Sequence, residues 1–168
     1  MMNIVLIGNI ISLVGCGLMV VCGLIKDRKK TIFVQTIMML VMAAANFTLG
    51  GITGGFTNII SASRNYIVYK EKYNNWLKAL YLVILVGMSV AVNDSGWLGW
   101  LPIISAGAYT LFLDIKSDMG LKIIMGSTQA IWIVYDLCLH NYVATAFDIA
   151  TFISCIITII RIQRTKEK

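Results

Sequence analysis

A chain of 168 residues that is 58% hydrophobic and 13% charged, with mean hydropathy +0.81, lacks the polar residues to clothe a water-facing surface; soluble domains carry roughly 25% charged residues. Nor can so short a chain hide that much apolar side chain in one globular core, so lipid is the solvent that fits. The net charge of +6 would favour nucleic acid in a soluble protein, but the basic residues here sort by topology, which assigns them to anionic headgroups and to no nucleic acid.

Crossing a bilayer takes roughly 20 apolar residues, with a range of about 17–25. Seven stretches approach that length. The first, 4–25, has no basic leader, exceeds the apolar core of a signal peptide and is followed by Lys26-Asp27-Arg28-Lys29-Lys30 instead of a small-residue cleavage site. It reads as a first spanning helix that starts outside. The second is 31–49. A glycine cluster, Gly50, Gly51, Gly54 and Gly55, marks the turn into the third, 52–69; glycine suits tight turns and close helix approach, and a flexible outer gate is the other reading. The third stretch carries Asn58 and Arg64 and is the most polar. The fourth, 76–92, is short. The fifth, 97–113, holds Pro102, the only proline, early enough in the helix to be tolerated. The sixth and seventh are 121–139 and 143–160. A six-helix count stays open if one segment is re-entrant.

Orientation follows from Lys and Arg. With the N-terminus outside, the inner connections hold Lys26, Arg28, Lys29 and Lys30, then Lys70, Lys72 and Lys78, then Lys116 and Lys122, then a tail with Arg161, Arg164, Lys166 and Lys168. Arg64 is placed near the inner end of the third helix, where its side chain could snorkel. The outer connections 50–51, 93–96 and 140–142 hold no Lys or Arg. Trp97, Trp100 and Tyr142 at the outer boundary, and Tyr69, Tyr73 and Trp76 at the inner one, fit interface anchors.

Self-similarity appears when the chain is shifted by 90 residues. Asn46 then falls on Asp136, Asn58 on Asp148, Ser61 on Thr151 and Asn65 on Cys155. Asn9-Ile10-Ile11-Ser12 compares with Pro102-Ile103-Ile104-Ser105 at a different shift. Chance alignment of apolar helices is the competing account, but polar positions in phase across an unbroken helix pair are harder to obtain by accident. The expected fold is therefore all-α and polytopic: seven transmembrane helices arranged as two parallel three-helix repeats, 1–73 and 96–168, joined by a linker helix in 74–95.

Aspartates inside a span are costly and commonly face the bundle interior. Asp136 and Asp148 fall in the outer part of the sixth and seventh helices, and His140 shares a face with Asp136 if that helix persists. Asp148, Thr151 and Cys155 form one stripe, matched by Asn58, Ser61 and Asn65 on the third helix. Gln129, Trp132 and Asp136 line a face of the sixth helix, with Met39, Met42 and Asn46 as counterparts on the second. Such stripes could bind a solute across a central cavity, with Trp132 stacking on it. They could equally be interhelical hydrogen bonding with no ligand, or interfacial acids open to water. Cys16, Cys22, Cys138 and Cys155 share no metal or redox spacing and read as packing residues. No phosphate loop, nucleophile elbow or metalloprotease motif is present, so neither an enzyme nor a metal or cofactor is expected.

The sequence resembles the YgjV-type bacterial inner-membrane proteins. The resemblance rests on Leu49-Gly50-Gly51-Ile52-Thr53-Gly54-Gly55 leading to Asn58 and Arg64, on Leu101-Pro102-Ile103-Ile104, and on the stretch from Ile156 to Arg164, and it runs over nearly the whole chain. That family is grouped with the SWEET and PQ-loop transporters, whose layout is three helices, one, and three. The resemblance implies a central solute site with Asn on helices three and seven and Trp on helices two and six. Asn58, Asp148 and Trp132 occupy three of those positions, and Met42 replaces the second Trp. An Asp in place of Asn points to a cationic or polar ligand, or to proton coupling, and the hinge prolines are reduced to Pro102. The expectation is a small-solute transporter of the bacterial inner membrane. Its site would be Asn58, Asp148, Trp132, Asn46, Asp136, Ser61, Thr151 and Gln129, and its partners a small polar solute, the lipid bilayer and a second copy of itself. The alternative is a non-transporting receptor or assembly protein, as the related KDEL-receptor fold allows.

Overall fold

The computed structural model describes residues 2–50, 52–91, 97–138, 140 and 142–166. Among them are seven helices and no strand: α1 (Met2–Leu24), α2 (Arg28–Thr48), α3 (Ile52–Tyr69), α4 (Asn75–Ala91), α5 (Trp100–Phe112), α6 (Asp118–Cys138) and α7 (Tyr142–Lys166). Each coincides with one expected apolar stretch. By length and composition α1, α2 and α7 are able to cross a membrane, while α4 and α5 are shorter apolar helices. At 13 residues α5 is only about 20 Å long, against roughly 30 Å of hydrocarbon. The outer connection expected at 93–96 lies outside the described residues.

Local chemistry sets the helix ends. Asp27 caps α2, its Oδ1 accepting from the Lys30 amide at 2.6 Å, and Ser117 does the same for α6 through the Gly120 amide at 3.1 Å. Leu49 closes α2, and Gly50 at φ +82° makes the turn that a side chain would strain. The last helix departs from expectation. The apolar run ends at Ile160, yet α7 continues to Lys166, so Arg161 and Arg164 are helical and not part of a loose tail.

Long-range bonds gather one end of every helix. Lys26 after α1 donates to Thr165 near the end of α7 at 3.1 Å. The Arg28 amide at the start of α2 reaches Asp118 at the start of α6 at 2.8 Å, and its guanidinium reaches the Leu113 carbonyl after α5 at 3.4 Å. Lys29 faces Glu71 after α3 at 3.7 Å, and Lys78 of α4 pairs with Asp114 at 2.8 Å. Successive helices therefore alternate in direction, and the Lys- and Arg-rich connections meet at this basic end.

In sequence order the helices close a ring. α1 packs on α2 and α7, α2 on α3, α6 on α5 and α7, and α4 on α5, with a slight α3–α4 contact completing the circuit. Close crossings use small residues: Met42 of α2 lies over Gly15 of α1, and Gly23 of α1 sits against Ser154 of α7. The basic half holds an apolar cluster of Cys22, Ile32, Val68, Leu113, Leu121, Met125 and Cys155.

The distribution of side chains inverts that of a soluble protein. Large apolar residues such as Ile4, Leu6, Ile10, Leu13 and Val83 stand exposed, while Gln35, Arg64, Asn65, Thr110, Lys122, Asp136 and Asp148 are buried. Water would favour the opposite arrangement; lipid around a polar interior favours this one.

Candidate functional site

The stripes read from the sequence turn inward. On α7, Asp148, Thr151 and Cys155 are all buried; on α3, Ser61 and Asn65 are buried and Asn58 half-buried. Burial repeats at an offset of 90 residues: Thr31 and Leu121, Ile32 and Lys122, Gln35 and Met125, Arg64 and Ser154, Asn65 and Cys155, Val68 and Thr158 are buried at both positions of each pair. The capping residues Asp27 and Ser117 stand at the same offset.

The buried acids of the expected site lie where α6 meets α7. Asp148 is 6% exposed, Asp136 7% and Gln129 8%, which removes the reading of both acids as interfacial groups open to water. Gln129 Nε2 donates to Asp148 Oδ1. Asp148 Oδ2 is buried and receives no N–H or hydroxyl, while the Asp136 carboxyl lies within hydrogen-bonding range of Asp148. Thr151 lines the same face, but its hydroxyl is engaged with its own helix, donating to the Phe147 carbonyl at 2.8 Å.

The remaining expected residues sit further from this pair. Trp132 is half-buried and meets the Tyr135 ring edge-on at 5.6 Å. The Asn46 amide lies over Gly54, about 3.0 Å from where a Cβ would be, and so fills the α2–α3 crossing. Met42, at the position where the resemblance implies Trp, is spent on Gly15. His140 does not share the Asp136 face: α6 ends at Cys138, and His140 is exposed at φ 58° beside the Tyr142 ring. Of the eight expected residues Gln129, Asp148 and Asp136 come together, while Asn58 and Ser61 lie on the inward face of α3.

Two buried cations escaped the sequence reading. Arg64 was expected to snorkel to the interface. Instead it is 2% exposed, donating through Nε and Nη2 to Asn65 Oδ1 at 3.2 and 3.0 Å and through Nη1 to Thr110 Oγ1 at 2.7 Å, with its guanidinium 5.4 Å from the Tyr109 ring centre. Lys122 was counted among the interface lysines, but it is fully buried and donates to the Cys22 carbonyl and to Thr31 Oγ1 at 3.0 Å. Their periodicity was the available signal: Arg64 adjoins Asn65 on the inward stripe, and Lys122 follows Leu121 on the face that continues to Met125 and Gln129. An open groove of about 510 Å³ lies elsewhere, at the basic end among Ile25, Lys29, Lys30, Phe33 and Tyr69. Tyr73, in the connection after α3, donates to the Thr110 carbonyl at 3.2 Å, and burial pushes its phenol up to about 12.

No curated protein and no solved structure matches the chain significantly. A family model described as a bacterial inner membrane protein, Imp-YgjV, matches residues 6–166. With that match spanning nearly all of the sequence, and with an apolar exterior around a buried polar interior, the chain belongs to the Imp-YgjV family of bacterial inner membrane proteins.

Proposed function

We propose that this protein is a small-solute transporter of the bacterial inner membrane, with seven spanning helices forming two parallel triplets about the linker helix α4. The basic end is cytoplasmic, by the preference of Lys and Arg for that side. The reading is carried by one observation: Asp148, buried with an unsatisfied carboxylate oxygen, is held by Gln129 and set against Asp136 between two helices of a lipid-facing bundle. A buried acid in a span is expensive, and such residues mark solute or proton paths. The shared burial pattern at the 90-residue offset supports the repeat, and the apolar cluster at the basic end supports a form closed towards the cytoplasm. The solute would be polar and would meet Asp148, Gln129 and Asp136 first. Asn58, Ser61 and Thr151 would extend the surface, with Asn46 and Trp132 towards the far mouth.

Uptake into proteoliposomes of a panel of radiolabelled polar solutes tests this directly. Saturable entry by at least one solute, lost in Asp148→Asn, is expected. If every solute equilibrates no faster than in empty liposomes, and Asp148→Asn copurifies with the same partners as the native protein, the receptor or assembly alternative replaces the transporter.

A further inference from the structure

Arg64 presents a separate problem from the Asp148 site. Its guanidinium is buried on α3, six residues towards the basic end from Asn58, and among the described residues no carboxylate lies within ion-pair distance of it. The groups around it are neutral. Asn65 Oδ1 and Thr110 Oγ1 accept three of its five N–H groups. The neighbouring phenols are protonated and engaged: Tyr109 donates to Gln35 at 2.6 Å, Tyr73 to the Thr110 carbonyl, and Tyr81 is bonded to Ser63 at 2.8 Å. A tyrosine ring face and amide oxygens stabilise a cation without neutralising it. Beside it, Asn65 is fully buried, and its Nδ2 has no acceptor although its Oδ1 has two donors. An amide nitrogen lies only about 2.3 Å from its own oxygen by covalent geometry, so this orphaned donor is beside the guanidinium edge. A buried cation with N–H groups to spare and an orphaned amide donor next to it share one chemical need, a planar oxyanion.

We propose that Arg64 and Asn65 form a binding site for a small oxyanion, a carboxylate first of all. Thr110 and the Tyr109 ring hold the guanidinium in place from the other side. An arginine suits this because its planar fork takes both oxygens of a carboxylate at once, which a lysine does not. Anionic lipid phosphate offers the same chemistry from a different source. The inference does not depend on transport, because occupancy is read without any flux.

The test uses the full chain purified in a neutral detergent and its thermal unfolding midpoint. Sodium acetate is compared with acetamide plus sodium chloride at matched sodium. Acetamide has the same shape without the charge. Acetate is expected to raise the midpoint in proportion to the logarithm of its concentration above the dissociation constant, by about 5 °C at roughly 30 times that constant, and acetamide is expected to do nothing. Asn65→Asp places a carboxylate against Arg64 from within the chain. That variant is expected to melt above the native protein without acetate and to lose the acetate response. A parallel arm in nanodiscs compares a zwitterionic lipid with one containing phosphatidylglycerol. A rise with phosphatidylglycerol alone keeps the oxyanion site and assigns it to lipid. Identical melting in acetate and in the acetamide control, together with no effect of the anionic lipid, overturns the proposal. So does an Asn65→Asp variant that retains the full acetate response.

Discussion

Replacing Asp148 by Asn should make the protein more stable while abolishing the proposed solute uptake, and the size of the stability effect follows from which atoms have donors. In the native chain Oδ1 accepts from Gln129 Nε2, Oδ2 has no donor, and the Asp136 carboxyl faces the same group. Leaving a buried polar atom unmet costs about 1–3 kcal/mol. Asp148→Asn keeps the shape and the oxygen that Gln129 needs, and turns the unmet oxygen into an NH₂ aimed at Asp136. The unmet acceptor is thereby replaced by a donor to a carboxylate, a bond worth about 1.5–3 kcal/mol. A net gain of about 1–3 kcal/mol is expected, which for a chain of this size is roughly 2–12 °C in melting temperature. Gln129→Leu does the reverse: it removes the donor and should cost about 1.5–3 kcal/mol. Size-exclusion chromatography of heated detergent samples reads both variants, and proteoliposome uptake reads activity. A less stable Asp148→Asn alongside a harmless Gln129→Leu would refute the donor accounting, because that pair of results requires an Asp148 already satisfied by groups other than Gln129.

Two further outcomes follow from the packing. A Cβ at Gly23 would lie 2.6 Å from Ser154 Cβ and 3.1 Å from the Thr151 carbonyl, whereas one at Gly17 meets nothing within 4 Å. Gly23→Ala should therefore cost about 1–3 kcal/mol by forcing α1 off α7, while Gly17→Ala should gain up to about 1 kcal/mol from helix propensity, both read as melting shifts. Tyr73 keeps its proton to about 12 in the folded chain, against about 10 when unfolded. The unfolded state thus releases it first, and stability should fall as pH rises from about 10 to about 12. Tyr73→Phe should flatten that fall and cost about 1 kcal/mol at neutral pH through the lost bond to Thr110, as checked by melting curves across the alkaline range.

Helix positions were legible in the sequence because apolar length and the basic connections encode them; the start of α3 at Ile52 and its end at Tyr69 coincide with the expected stretch. The end of α7 was not, because hydropathy stops at Ile160 while backbone hydrogen bonding continues through polar residues to Lys166. Inward stripes were legible as well, since Asp148, Thr151 and Cys155 fall on one face by helical spacing alone. Individual partners were not. Nothing in the sequence tells that Met42 covers Gly15, that Asn46 covers Gly54, or that α6 breaks before His140. Arg64 and Lys122 were misplaced for a physical reason: charge near a helix end implies snorkelling only when the side chain points to lipid, and both residues lie on the inward face.

The 90-residue offset preserves burial but not chemistry, and that asymmetry favours the proposed solute site over interhelical glue. Where one half has Asn58 the other has Asp148; Arg64 is matched by Ser154, Lys122 by Ile32, and Gln129 by Met39. If these polar groups served only to hold helices together, equivalent neutral pairs on both sides would suffice, as amide and hydroxyl groups do in many helix interfaces. Instead the buried acids Asp136 and Asp148 belong to α6 and α7 respectively, and among the described residues Arg64 on α3 has no acid within ion-pair distance. Separated charges of opposite sign, each left with unmet bonding capacity at Asp148 Oδ2 and Asn65 Nδ2, lower the stability of the empty interior. The proposed solute, bearing complementary groups, would offset that cost and so bind more strongly than its buried area alone would give. The same argument sets the order of effects: a variant that satisfies either orphan from within the chain gains stability and loses ligand response together.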